Sequence, residues 1–255
     1  MNKIMKALIG VIFFIIAGIS IASFIFWSRA PDIICKNLTE KLGVKVDIED
    51  MSLGWSEIDI ENFEINNIPK GLLSQAFTAK KITIAAPLSS YTKDKIIIEK
   101  VVLDNVYIGL EFDSPTSTKG NWTQIMGNLE KSTGSSQPTK KKSKKKQENS
   151  QIPADTSVKK TVLIKELVIN NISVDLVYIK TNSKVKKLPN IKQIVIKNIN
   201  SEEGFPLDQL THSVLGQMLE QVFIKENLKN MLDSLIPNSS SWSPLVEPFT
   251  DLFGS

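Results

Sequence analysis

The side chains best suited to chemistry are few in this 255-residue chain, which holds one histidine, His212, and one cysteine, Cys35. Nucleophilic catalysis needs a nucleophile, a base and an orienting group within hydrogen-bond reach. His212 lies in a helical pattern with no cysteine or serine–base arrangement near it. One His and one Cys make a zinc site only if carboxylates supply the remaining ligands. No Gly-rich phosphate loop and no G-x-S-x-G elbow is present. Asp47, Glu49, Asp59 and Glu61 alternate with apolar residues and read as the solvent side of strands. The expectation is a protein without catalytic residues, metal ligands or cofactor. Cys35 cannot form an intrachain disulfide. It reads as a small apolar helix residue, with S-acylation or an intermolecular bridge as the alternatives.

Charge is the next candidate for chemistry. The formal net charge is +4, yet Lys140, Lys141, Lys142, Lys144, Lys145 and Lys146 stand within seven positions, and without them the rest of the chain is at −2. The basic character is therefore one tract, not a structured basic face, and nucleic acid is not an expected partner. These six lysines are the candidate anionic-surface contact, each contributing about 1 kcal/mol near an acidic leaflet. The bland alternative is a solvated linker.

The elements around these groups begin with residues 7–27, which carry no charge. As a helix this run is roughly 31 Å long, close to the bilayer core. It exceeds the ~7–15 apolar residues of a cleavable signal, and Ser28-Arg29-Ala30-Pro31 is a poor cleavage site. A single-pass signal anchor is predicted, with residues 1–6 cytoplasmic, Trp27 at the interface and the bulk of the chain outside the cytoplasm.

Pro31 to Leu42 reads as a short helix on Ile34, Leu38 and Leu42, stopped by Gly43. The period then changes to two at Val44, Val46 and Ile48, and continues through Ile58, Ile60, Phe63 and Ile65 with a slip that predicts a bulge at Glu61-Asn62. A pattern recurs four times: Ile60 to Ile68, Ile98 to Val106, Ile164 to Ile172 and Ile191 to Ile199, each of the form I-x-x-h-x-h-x-N-h with h apolar. The second and third copies extend to Phe112 and Tyr178. Each unit is read as a strand, a polar bend and a second strand, with Asn67, Asn105, Asn171 and Asn198 at the bends, because Asn tolerates left-handed backbone angles.

Residues 114–157 are rich in Ser, Thr, Lys, Gln and Pro, and read as a disordered Lys-rich insertion with one or two amphipathic turns at Asn121–Leu129. It divides a β domain into a first part, 31–113, and a second, 158–204. Residues 205–236 follow helical spacing from Leu207 to Leu235, interrupted at Lys225-Glu226-Asn227. Residues 237–255 are a tail. In a eukaryotic chain, Asn37-Leu-Thr39 and Asn121-Trp-Thr123 would be glycosylation sequons.

The anchor, then Ile34 to Ile48, then Gly54, then Ile58-Asp-Ile-Glu-Asn-Phe-Glu-Ile-Asn-Asn-Ile-Pro-Lys-Gly71, resembles the start of AsmA-like proteins, the TamB/AsmA type of bridge-like lipid-transfer envelope protein. Asn67-Ile68-Pro69-Lys70-Gly71 has one residue more than the family's Asn-Pro-x-Gly segment. The resemblance is good over about 8–112 and loose over 160–200. It implies a short member with a taco-like, repeat-like antiparallel sheet, apolar on its concave face, in the inner membrane and periplasm of a diderm bacterium. It also implies phospholipid and other envelope proteins as partners.

Alternation independently supplies one apolar face, and a sheet curled about that face can shelter acyl chains. The same alternation describes a filled sandwich, or a sheet covered by the 205–236 helix. Ile65, Leu103, Ile169 and Ile196 are the candidate lipid-facing residues. Six to eight strands give a groove of roughly 30–40 Å, one bilayer thickness. Two functions therefore compete: an envelope protein that handles lipid or assists outer-envelope assembly, and a purely structural assembly protein with a filled β domain. The N-anchored β-sandwich of the LEA-type water-stress family belongs to the second class.

Overall fold

A computed structural model describes residues 29–132, 160–181, 184–197, 199, 205–206, 210–226 and 228. No helix among these is long and apolar enough to cross a membrane. The apolar stretch 7–27, the lysines at 140–146 and the tail 237–255 lie outside the described residues.

The chain is mainly β with helices. In order it forms α1 (Ala30–Leu42), β1 (Val46–Leu53), β2 (Glu57–Asn66), β3 (Gln75–Ala85), β4 (Lys95–Ile98), β5 (Lys100–Phe112), α2 (Asn121–Ser132), β6 (Thr161–Ile164), β7 (Glu166–Tyr178), β8 (Lys186–Lys187), β9 (Ile191–Lys197), β10 (Phe205–Pro206) and α3 (Leu210–Lys225). A seven-stranded sheet runs β1-β2-β3-β5-β7-β8, with β9 also paired to β7, and a three-stranded sheet runs β10-β6-β4. The larger sheet is not closed.

α1 starts with Pro in its first turn, where no intrahelical donor is lost, and ends at Gly43 with φ 70° and its N–H bonded to the Thr39 carbonyl. This is the helix expected from sequence. It has a second task. β1 is an edge strand, and unpaired edge N–H groups invite other strands. The Val46 N–H donates to Thr39 Oγ1 at 3.0 Å. The Ile48 N–H faces the Cys35 thiol. The helix therefore caps the first half of that edge.

The repeat resolves differently from expectation. The sheet is mixed, not antiparallel: β5 and β7 pair parallel, Val101 to Leu167 through Phe112 to Tyr178, and β4 and β6 pair parallel in the other sheet. Each pair is offset by 66 residues, the spacing of the second and third copies. A parallel neighbour needs a crossover, where an antiparallel one needs only a hairpin. The segment between Phe112 and Thr161 supplies it. The unit is thus a short strand, a break at Glu99 or Lys165, and a long strand of 13 residues. Lys165 and Glu99 pair across the two breaks at 2.7 Å. The first and fourth copies do not stack in this way. β2 pairs antiparallel with β1 and β3, and β9 antiparallel with β7.

The asparagine bends are kinks inside continuous strands. Asn62, Asn105 and Asn171 have φ of 48°, 52° and 52°. The phase slip expected at Glu61-Asn62 is a positive-φ kink at Asn62, not a bulge: β2 keeps its register with β1 and β3 there, and its register shift falls at Ile65/Asn66. Asn67 lies just beyond β2 and is not left-handed, and Asn198 lies outside the described residues. By register, Asn62 and Asn105 both face Lys80 across β3, and Asn171 follows in β7. The three kinks form one line across the sheet without a break in register, so the apolar alternation changes phase together on neighbouring strands. A β-branched residue is strained at φ near +52°, and Gly is not. Asn171→Val is expected to lose about 1–2 kcal/mol in urea unfolding, with Asn171→Gly within about 0.5 kcal/mol of wild type.

The core lies between the two sheets and the helices. Ile108, Leu110, Ile169 and Val174 of the large sheet join Ile96, Ile98, Val162 and Ile164 of the small one. α2 adds Trp122, Ile125, Met126 and Leu129, and α3 adds Leu215, Met218, Leu219, Val222 and Phe223. Phe112 and Phe223 meet edge to face at 6.1 Å. α2 extends the one or two amphipathic turns read at Asn121–Leu129: three turns of helix with a buried stripe stand at Asn121–Ser132. Residues 133–157 lie outside the described residues. α3 stops at Lys225, where the apolar stripe is interrupted.

Candidate functional site

The large sheet presents one apolar face. One row across it reads Met51, Ile60, Ile82, Leu103, Ile169, Ile194, and the next reads Leu53, Ile58, Ile84, Val101, Leu167, Ile196. The cover over this face is uneven. On β5 and β7 the rows are sealed, with Val101, Leu103, Leu167 and Ile169 buried. On β2 and β3, Ile58, Ile60, Ile82 and Ile84 are half-buried, and on β1 Leu53 is 41 % exposed against 0 % for Leu167 in the same row. Trp55 stands almost wholly in solvent at the β1–β2 turn. The flank at β1–β3 is therefore apolar and only partly covered.

The four candidate lipid-facing residues all lie on this face. Ile65 in β2, Leu103 in β5 and Ile169 in β7 are buried in the common core, and Ile196 in β9 is half-buried. The half-covered flank falls instead on Ile58, Ile60, Ile82 and Ile84. Periodicity assigned the face, but it carries no information on which part of that face other elements cover.

At one end of the apolar face a buried polar network joins the 67–73 loop to β5 and α2. The Asn121 amide donates to the Gly109 carbonyl and to Asn67 Oδ1, both at 2.9 Å, and its own Oδ1 accepts the Glu111 N–H. Asn67 donates to the Leu73 carbonyl at 2.9 Å, and the Trp122 indole to the Gly109 carbonyl at 3.0 Å. Glu111 is fully buried, with Oε1 accepting the Leu73 N–H at 2.5 Å and Oε2 without a partner. A Cβ at Gly71 would stand 2.4 Å from Asn67 Nδ2 and 2.9 Å from Glu111 Oε2. Only glycine lets the loop approach so closely. Sequence reasoning found Asn67 and Gly71 but missed Glu111, Asn121 and Trp122. A carboxylate in an apolar strand, ten residues before an Asn-Trp pair, was the available signal. Asn121 is buried, which excludes it as a glycan acceptor. Asn37 is exposed and bonded to the Ile33 carbonyl.

Titratable groups show no catalytic constellation among the described residues, and no cluster of three or more His, Cys, Asp or Glu residues is suited to a metal. Burial lowers the pKa of His212, with Glu130 acting in the opposite sense. Burial raises the Cys35 thiol, which the Ile48 N–H partly offsets. Burial, and then Asp175, push the Tyr107 phenol up to about 12. The hydroxyl of Thr83 and the nearby Lys81 hold Asp59 below its ordinary value.

The fold and site define a mainly β protein with an open mixed sheet, sealed over one half of its apolar face. Comparison with protein-family models, curated proteins and solved structures finds no match.

Proposed function

We propose that this chain is a non-enzymatic, single-pass envelope protein of the inner membrane, N-terminus in. Its sheet curls in the AsmA-like manner outside the cytoplasm and shelters lipid on its uncovered flank. The observation that carries this reading is the uneven cover: the apolar rows continue to β1, where Met51 is buried, but Ile58, Ile60, Ile82 and Ile84 are only half-buried and Leu53 is exposed. Three strands span about 14 Å, close to the depth of one leaflet in a hydrocarbon core of about 30 Å. The charge-free stretch 7–27, directly before α1 in the sequence, supports a tether to a bilayer. Such a patch on a protein surface marks an interaction site more often than an accident of folding.

Photo-crosslinking tests it. Probes at Ile60 and Ile82 in full-length protein in its native membrane are expected to label phospholipid. Probes at Glu61 and Lys81, their neighbours on the other face, are not, and neither is one at the enclosed Ile169. Equal labelling from both faces, or labelling of protein alone, counts against lipid.

A specific observation favours a second reading, an assembly protein whose β domain binds only other proteins. Ile65, Leu103 and Ile169 are packed as a filled core, so no groove runs the length of the sheet. Native mass spectrometry of full-length protein released from detergent separates the two. Retained phospholipid is the expected outcome, and its absence together with protein-only crosslinks from Ile60 would support assembly.

A further inference from the structure

The large sheet carries a cleft of about 540 Å³ beside β7. This is within the usual range for small-molecule sites, roughly 300–1,000 Å³. Two features of the chain create it. Asn105 and Asn171, equivalent positions of the stacked repeats, are both kinked outward with φ 52°. Beyond them β8 and β9 share the same edge of β7, but the chain between them leaves the ladder. Leu188 N–H still bonds to the Val174 carbonyl at 2.9 Å, and β9 rejoins at Ile191 opposite Ile172. The gap opens beside Ser173.

The lining has a definite chemistry. Asn105, Asn171 and Asn190 bring three carboxamides, Ser173 a hydroxyl and Lys192 an ammonium, over an apolar floor of Val106 and Ile191. Asn171 Nδ2 and Asn105 Oδ1 make one long contact of 3.5 Å, which leaves the Asn105 N–H donors and the Asn171 carbonyl for another partner. Lys192 has no ion-pair partner among the described residues. No carboxylate lines the cleft. Asp104 precedes Asn105 in β5, and Asp175 stands two residues after Ser173 in β7. Asp104 accepts from Asn170 at 2.8 Å, and Asp175 lies 3.4 Å from the Tyr107 hydroxyl and opposite Lys187. From Lys184 to Lys197 there are five lysines and no acid, so the segment that forms this side of the cleft is basic.

We propose that this cleft binds a phosphate ester that carries hydroxyl groups. The Lys192 ammonium is a point charge with three donors, which suits the oxygens of a phosphate. The Asn105 and Asn190 amides add donors to the phosphate oxygens. The Asn171 carbonyl and the Ser173 oxygen accept from the ligand's hydroxyls. The ester is either a phospholipid headgroup or a soluble sugar or glycerol phosphate. The inference does not rest on the lipid-sheltering flank, which belongs to other strands.

Calorimetric titration of full-length protein in neutral detergent tests it, with sn-glycerol 1-phosphate as the soluble probe. Short-chain phosphatidylglycerol doped into the micelles is the second probe, and short-chain phosphatidylcholine the control. Saturable binding of at least one phosphate probe is expected, weakened at least tenfold by Lys192→Glu combined with Asn190→Asp. Lys192→Gln should give a smaller loss. Lys36→Glu, the same charge change on exposed α1, should change binding less than twofold. Binding of phosphatidylglycerol alone assigns the headgroup as source, and binding of glycerol phosphate assigns a site open to soluble esters. Circular dichroism unchanged from wild type confirms that the variants fold. No saturable heat from either probe, phosphatidylcholine binding as well as phosphatidylglycerol, or an equal loss in Lys36→Glu overturns the proposal.

Discussion

Trp122→Ala is expected to lose about 3–5 kcal/mol of stability, the range for removing a buried aromatic from a packed core. Trp122 is among the largest fully enclosed side chains, and it sits where α2 meets β5. Its removal opens a cavity between helix and sheet and also takes the indole donor from the Gly109 carbonyl. That carbonyl retains the Asn121 amide, so the hydrogen-bond part of the loss is the smaller one. Trp122→Phe should therefore lose only about 1–2 kcal/mol, since it keeps most of the apolar contact and forfeits the bond. Urea unfolding followed by far-ultraviolet circular dichroism reads both. Equal losses in the two variants would mean that the bond, not the packing, holds α2 in place.

Glu111→Ala is expected to lose about 2–4 kcal/mol, because the buried Leu73 N–H is left without an acceptor and a void forms beneath the 67–73 loop. Glu111→Gln should stay within about 1 kcal/mol of wild type. The amide keeps an acceptor for Leu73, and the change removes a buried charge whose second oxygen has no partner. The order Gln close to wild type, Ala far below it, identifies Glu111 as a tether of the loop. Hydrogen exchange at Leu73 gives an independent reading: its amide should be protected in wild type and Gln, and exposed in Ala. A destabilised Gln variant with Ala no worse would place the stabilisation in the charge itself.

Much of the local structure was legible. Val46, Ile48, Ile58 and Ile60 disclosed strands because a half-buried strand must alternate. Gly43 disclosed a helix end because an αL residue is needed there. The apolar phase slip at Asn62 disclosed a local irregularity, though the structure makes it a positive-φ kink and not a bulge. These are properties of short windows, and backbone sterics with the side-chain period fix them locally. The fourfold pattern also showed that the 98–112 and 164–178 segments are equivalent.

Pairing was not legible. Two equivalent amphipathic strands satisfy the same pattern whether they pair parallel or antiparallel. The choice depends on whether the connection makes a hairpin or a crossover, and the segment after Phe112 read as an insertion with only one or two amphipathic turns. Its helix was underestimated because Asn121–Ser132 has little helical propensity beyond its apolar stripe, and what fixes it is burial of Trp122, Ile125 and Leu129. The same holds for Glu111, which composition places in solvent and the 67–73 loop places in the core. The sequence alone determined that an apolar face exists and which residues belong to it, since that follows from a period of two. Only the tertiary structure decided that the face is sealed at Leu103 and Ile169 and half-open at Ile60 and Ile82, because cover comes from elements distant in sequence, and no local period encodes where they pack.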